Sequence, residues 1–277
     1  MIMKLRNLLA LLRPKQVYKA GIVWLPAIFS GKAMVIQQAG TLSLVTLVWI
    51  LTSSIVYVFN DLKDAPEDRK RPDRCHRPLA KGTVQPVEAI GLVGVLLIPL
   101  IGILSILPGR VSLLIGAYCF LNFLYSLALK GKLGLQQAII AIGFWLRLLS
   151  GAAPIVAIIP SPWAALFTLG LAYFLNCLKG LYAYDASHQR NYRFAMGIGA
   201  GLAGSLALAA LVAICLKRGI EGSMHFPELP PLFCIVGMHR VTYRSMDNSH
   251  KKEQSDVFFR DWVTLFTMVS FVIFFLL

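Results

Sequence analysis

Charge is what this sequence has little of. Of 277 residues, 14% are charged and 57% hydrophobic, and Asp and Glu together number only 13. A soluble domain of this length carries far more charge, so that class is excluded. Cysteine is sparse and unpatterned. Cys75, Cys119, Cys177, Cys215 and Cys234 form no CxxC pair; four lie in apolar runs and one in a basic loop. They read as reduced, structural thiols, with neither a zinc site nor a disulfide implied. No A-x-A cleavage site follows the cationic start from Met1 to Gln16, so the first apolar run is expected to be retained. Linkers and low-complexity tracts are also lacking, and one domain over residues 1–277 is expected.

What the chain does have is a series of apolar runs near 20 residues, the signature of membrane-spanning helices. Nine spans are expected, at roughly 17–38, 40–60, 86–107, 110–129, 136–158, 162–184, 194–216, 226–244 and 261–277. The net charge of +14 would suit nucleic acid, but the placement of the cations argues against it. On alternate loops, 21 Lys and Arg fall on one side and 4 on the other, with Arg147 and Lys179 inside spans. The positive-inside rule then puts the N-terminus in the cytosol and the C-terminus outside. The long loops 61–85, 185–193 and 245–260 share the cytosolic side, where the chemistry is expected.

The second run ends in Asn60-Asp61-Leu62-Lys63-Asp64-Ala65-Pro66-Glu67-Asp68. On a continuous helix, Asn60, Asp61, Asp64 and Asp68 fall within an arc of roughly 100°. Hard oxygen ligands one turn apart suit Mg²⁺, which binds through a few carboxylates plus substrate phosphates. Carboxylates cannot hold phosphate themselves, so a metal explains why acids and cations stand together. Pro66 either kinks this helix or moves Asp68 into the following loop. The alternative is an acidic helix end that balances a basic loop. Four acids beside a span are costly without a metal or partner, which favours the site.

Seven cations run from Lys63 to Lys81. They can set topology and touch anionic lipid, or Arg74 and Arg77 can fold over the metal site and grip phosphate bidentately. Arg147, near the middle of the fifth run, is expected to face a cavity or a partner. Lys179 either snorkels or joins Arg147 in lining a cytosol-facing cavity that takes an anion. Asn122 and Asn176 read as interhelical hydrogen-bonding residues. Tyr182 can hydrogen-bond a substrate oxygen, whereas His188 reads as an ordinary loop residue.

The motif Asn60-Asp61-x-x-Asp64-x-x-x-Asp68 at the end of a second span resembles the first aspartate-rich motif of the UbiA superfamily of intramembrane prenyltransferases. Leu12-Arg13-Pro14-Lys15-Gln16-x-x-Lys19 resembles the N-terminal signature of its decaprenyl-phosphate phosphoribosyltransferase branch. Asp68-Arg69, Arg77-Pro78-Leu79-Ala80-x-Gly82, Tyr125-Ser126-x-x-Leu129-Lys130, Ile140-Ala141-x-Gly143-Phe144-x-Leu146-Arg147, Gly151 and Arg260-Asp261 are similar to further signatures. There are departures. Gly180, Leu181, Tyr182 and Ala183 follow Lys179 where the branch has arginines and a glutamate; Gln136 stands for an aspartate, Cys75 for a cation, and Val17 and Ala20 for Trp and Asn.

The resemblance implies an all-α membrane fold of nine helices around a cytosol-facing cavity. It also implies transfer of phosphoribose from phosphoribosyl pyrophosphate to a polyprenyl phosphate, in cell-envelope biosynthesis at a bacterial plasma membrane. Asn60, Asp61, Asp64 and Asp68 would handle Mg²⁺ and pyrophosphate, with Asp64, Asp68 and Lys179 catalytic. Lys19, Arg77, Lys130, Arg147 and Lys179 would contact phosphates. A homo-oligomer stays open. The alternative reaction is prenyl transfer from a polyprenyl pyrophosphate to an aromatic or other small acceptor. Only Tyr182-Ala183-x-Asp185 faintly matches the second aspartate motif of that branch. A non-enzymatic transporter or scaffold is the third reading; the one-sided acidic cluster disfavours it, since a carrier needs access from both faces.

Overall fold

The computed structural model describes residues 2–72, 74–129, 135–155, 161–183, 190–246 and 261–277. Among these residues every regular element is helical. Six helices are long and apolar enough to cross a membrane, and a shorter apolar helix closes the chain. The protein is an integral, multi-pass membrane protein.

The N-terminal helix α1 (Ile2–Leu11) ends against Pro14, which cannot extend it. Leu11 is fully buried there in a cluster with Val58, Leu79, Val84 and Ala89. A 3-10 helix (Pro14–Trp24) and the short α2 (Leu25–Ser30) follow, and Gly31 at φ 105° turns the chain. Helix α3 (Lys32–Asp68) then runs unbroken for 37 residues, about 56 Å at 1.5 Å per residue. This corrects two expectations. The break expected near residues 38–40 falls at Gly31, because nothing around residue 40 interrupts the helical ladder. Pro66 lies within the last turn and the helix continues through it to Asp68, where the Arg69 amide still donates to the Ala65 carbonyl.

The next elements are α4 (Pro78–Lys81), α5 (Pro86–Ile106) and α6 (Gly109–Leu124). Gly82 ends α4 in the left-handed conformation, and the Gln85/Glu88 capping box with Pro86 starts α5. Helix α5 is mostly exposed, turning Val87, Ile90, Val95, Ile98 and Ile101 outward, as a lipid-facing helix should. A π-helical turn (Tyr125–Leu129) extends α6. Helix α7 (Leu135–Ala152) is the most buried of the six candidate spans. It is followed by α8 (Pro162–Ala183), α9 (Arg190–Ile220), α10 (Leu229–Met246) and α11 (Trp262–Leu276).

Small residues set the helix packing, as they do where no hydrophobic force acts between helices. A Cβ on Gly170 of α8 would stand 2.8 Å from the Ala203 carbonyl of α9. A Cβ on Gly151 of α7 would stand 1.9 Å from the Val23 carbonyl, so α7 and the 3-10 helix touch backbone to backbone.

Candidate functional site

At the end of α3, Asp61 and Asp68 lie two turns apart on one helix face, and they are 4% and 2% exposed. One nitrogen holds both. Arg77 Nη1 is 3.1 Å from Asp61 Oδ1 and 2.8 Å from Asp68 Oδ2. Arg13 Nη2 reaches the same Asp61 oxygen at 2.6 Å, and Arg74 Nη1 stands 3.7 Å from Asp68 Oδ1. Both partner segments are anchored. Leu79 and Ala80, just after Arg77, are buried, and Leu11, just before Arg13, is fully buried.

Of the four expected residues, Asp61 and Asp68 contact the arginines. Asp61 and Asp68 converge, while Asn60 and Asp64 are half-buried on the same helix. Among the described residues, no three His, Cys, Asp or Glu side chains form a group that could hold an ion. The donor chemistry nevertheless fits Mg²⁺. Two carboxylate oxygens already point at one cationic nitrogen, and Mg²⁺ needs only one or two carboxylates when phosphates and waters complete its shell. Arg74 and Arg77 both lie against the carboxylates. Arg69 does not take part, because its Nε donates to the Ala80 carbonyl. Lys63 donates to the Ser126 carbonyl, tying α3 to the π-helical turn.

Beside this cluster runs a cavity of about 410 Å³. On α8 it is lined by Phe167, Leu171, Ala172, Leu175, Asn176 and Lys179. These fall on one helix face and span about 18 Å at 1.5 Å per residue. Its far end is aromatic: Phe29 packs on Phe167 and Phe275 at 6.1 and 4.9 Å between ring centroids, and Phe167 stacks on Phe271 at 6.3 Å. Its polar lining includes Gln16, Lys19, Asn176 and Lys179. Gln16 and Lys19 also line a narrow cleft with Arg13, Ser53, Ser54 and Tyr57, so the cavity and the carboxylate cluster are neighbours through Arg13, the partner of Asp61. Lys19 Nζ is 2.9 Å from Gln16 Oε1.

Arg147 is placed differently from its expected neighbour Lys179. It is 4% exposed and does not line the large cavity. Its guanidinium lies over the rings of Trp49, Tyr118 and Phe144 at 4.6, 5.0 and 5.4 Å. It donates to Ser53 Oγ at 2.9 Å, to the Gly143 carbonyl at 3.0 Å and to the Tyr118 hydroxyl at 3.4 Å. Its Nε has no described partner. Ser53 is its link to the narrow cleft. Asn122 and Asn176 donate to carbonyls one turn back on their own helices, not across helices as expected.

A second ion-pair cluster braces the cavity wall. Asp261 caps α11, accepting from the Thr264 amide at 3.1 Å and hydroxyl at 2.8 Å. From α10, Arg240 pairs with it at 2.6 and 2.9 Å, and Arg244 at 3.2 Å. The Arg240 guanidinium is the main reason the Asp261 carboxyl titrates well below the usual carboxylate range. Thr264, which it holds, lines the cavity with Thr267.

Lys130 lies outside the described residues, as do Asp185 and His188 and the side chain of Tyr182. Sequence reasoning missed the ionic role of Arg13 and the contacts of Ser53 and Tyr118. The available signal for Arg13 was a cation placed between an amphipathic helix and Pro14, where a helix must end.

These features define a helical membrane protein with a charged acid–guanidinium site at the side of a deep, largely apolar cavity. More narrowly, the chain belongs to the UbiA prenyltransferase family, whose model matches residues 23–264. It is 31% identical over 162 residues to nodulation protein NoeC of Azorhizobium caulinodans, covering 58% of this chain and 52% of that protein. It is 29% identical over 170 residues to decaprenyl-phosphate phosphoribosyltransferase of Mycolicibacterium smegmatis, covering 61% and 49%. The chain thus spans about half the length of the curated relatives it matches. A UbiA homolog from Archaeoglobus fulgidus bound to GPP and Mg²⁺ superposes with a TM-score of 0.68 at 13% identity, over 97% of this chain and 96% of that one.

Proposed function

We propose that the protein transfers 5-phosphoribose from phosphoribosyl pyrophosphate to a polyprenyl phosphate and releases pyrophosphate. The observation that carries this reading is the pairing of two unlike compartments. An anion-gripping cluster of Arg13, Arg74 and Arg77 on Asp61 and Asp68 stands beside an apolar cavity whose polar lining includes two lysines. A phosphorylated lipid has the matching polarity, with an anionic head and an apolar tail. The identity to decaprenyl-phosphate phosphoribosyltransferases supports the same donor.

In this mechanism Asp61 and Asp68, with Asn60 and Asp64 beside them, would hold Mg²⁺. Bound there, the ion would supply charge neutralisation for the pyrophosphate. Arg13, Arg74 and Arg77 take pyrophosphate oxygens, while Lys19 and Lys179 orient the lipid phosphate. The bond from the anomeric carbon to pyrophosphate breaks, and the pyrophosphate leaves with the electron pair. A lipid phosphate oxygen forms the new bond to that carbon. That oxygen is already anionic, so no strong base is required, and positioning in a water-poor site supplies most of the rate. We further propose that residues 1–277 act as one unit, with the cluster and the N-terminus facing the cytosol.

The test is a transfer assay on the protein in lipid nanodiscs with radiolabelled phosphoribosyl pyrophosphate, polyprenyl phosphate and Mg²⁺. Label extracted with the lipid is the expected result, lost in Asp64→Ala and Asp68→Ala proteins that still insert. Lipid-soluble product formed only from a prenyl pyrophosphate and an aromatic acceptor would replace this reading with prenyl transfer.

A further inference from the structure

The bridging position of Arg77 raises the question of how a divalent ion reaches the carboxylates at all. Asp61 Oδ1 and Asp68 Oδ2 both lie within 3.1 Å of Arg77 Nη1. Mg²⁺ sits at about 2.0–2.1 Å from its oxygen ligands. An ion shared by these two oxygens would therefore take the volume that the guanidinium nitrogen now fills. Ion and guanidinium exclude each other.

Electrostatics points the same way. Asp61 and Asp68 are buried, and Arg77 touches both; Arg13 stays on Asp61 and Arg74 near Asp68, but the departure of Arg77 still removes a hydrogen-bonded counter-charge from each, which is unfavourable. The departure of Arg77 is therefore favoured when another cation arrives. Arg13, Arg74 and Arg77 balance Asp61, Asp68 and the adjacent Asp64, so a bare divalent ion meets no net negative charge, while a metal–diphosphate complex brings oxygens that the three guanidinium groups can take. The displaced guanidinium then has a better acceptor, since diphosphate oxygens match its planar fork.

The backbone allows the exchange. The Arg77 amide donates to the Arg74 carbonyl at 3.0 Å, and the Arg77 carbonyl accepts from the Lys81 amide at 2.8 Å. The main chain is thus fixed at the start of α4, while the side chain is 24% exposed and has room to swing.

We infer that Arg77 is the resting counter-ion of the Asp61–Asp68 pair, so that a divalent cation enters this site only together with a diphosphate. This rests on the carboxylates being the metal site of the proposed transferase. It adds an obligatory coupling between two ligands, with Arg77 exchanging a carboxylate pair for a diphosphate.

Mn²⁺ and inorganic pyrophosphate are suitable probes. Mn²⁺ retained by the nanodisc-embedded protein is measured by equilibrium filtration and by the immobilised fraction of its EPR signal. The wild type is expected to retain Mn²⁺ only when pyrophosphate is present. Arg77→Met should bind Mn²⁺ alone at least about tenfold more tightly than the wild type, about 1.4 kcal/mol, and lose the pyrophosphate dependence. Arg77→Lys, which keeps the charge, should stay close to the wild type. Asp61→Asn with Asp68→Asn should retain no Mn²⁺, which assigns the signal to this site. Should Arg77→Met fail to yield folded protein, the wild-type comparison with and without pyrophosphate decides alone. Equal retention of Mn²⁺ by the wild type in both conditions, or no gain in a folded Arg77→Met protein, overturns the counter-ion role and leaves the transferase reading standing. If Mn²⁺ behaves as expected but no lipid is labelled in the transfer assay, the donor assignment falls instead.

Discussion

Arg13 reaches Asp61 at 2.6 Å from a backbone held at φ 51°, and it is the only non-glycine residue with positive φ among the described residues. The left-handed region is unfavourable for a residue with a Cβ. An outlier of this kind at a buried carboxylate marks a position fixed by its surroundings: Leu11 is buried just before it, and Pro14 fixes the chain just after. Arg13→Ala is therefore expected to lower kcat/KM for transfer on the order of a hundredfold. Arg13→Gly should lose the same activity while relieving the backbone. Full activity in the glycine variant would make the ion pair dispensable.

Arg147 presents the opposite situation, a buried cation whose described partners are all neutral. Replacing such a charge by an apolar side chain is often tolerated by the fold. Arg147→Met should melt within about 1 kcal/mol of the wild type and yet lose at least about a hundredfold in transfer rate. A large fall in melting temperature with activity preserved per folded molecule would assign it a purely structural role.

The backbone contact at Gly151 leaves no space for a methyl group, with the Val23 carbonyl 1.9 Å from where it would stand. Gly151→Ala must push the 3-10 helix away from α7. The expected loss is about 3 kcal/mol or more, in the range of strong overpacking, seen as aggregation in fluorescence-detected size exclusion. Gly197→Ala, with nothing within 4 Å, is the matched control and should remain monodisperse.

Asp261 predicts a dependence on acid. Its carboxyl is held low chiefly by Arg240, so the folded protein binds a proton there less readily than the unfolded chain. Its contribution is fully present above about pH 4, the ordinary carboxylate range, and fades as pH falls below that. Thermal melts from pH 7 to pH 3 should show Asp261→Asn melting lower at neutral pH, with the gap to the wild type narrowing toward the acid end. A constant gap across that range would remove Asp261 from the acid response.

Much of the fold is legible along the chain because membrane helices announce themselves by length and apolarity. Helices α5, α8 and α11 begin and end within a residue of the expected spans, since Pro86, Pro162 and the charged flanks punctuate them, and α7 begins within a residue of its span but ends at Ala152, before the expected 158. The start of the chain was harder to read. Residues 17–38 read as a span, but the run is divided by a 3-10 segment and Gly31, and hydropathy carries no signal for helix type. The acidic motif was likewise visible by its spacing on α3.

By itself the sequence determined that this is a membrane protein with carboxylates and guanidinium groups at one helix end, because composition and helical periodicity are local properties. Only the tertiary structure decided which of them meet. Arg13 and Arg77 are 48 and 16 residues from Asp61, and no local rule pairs them. Their pairing follows from the packing of α1 and α4 against α3. With water excluded around Asp61 and Asp68, an unpaired charge there would be too unfavourable to persist.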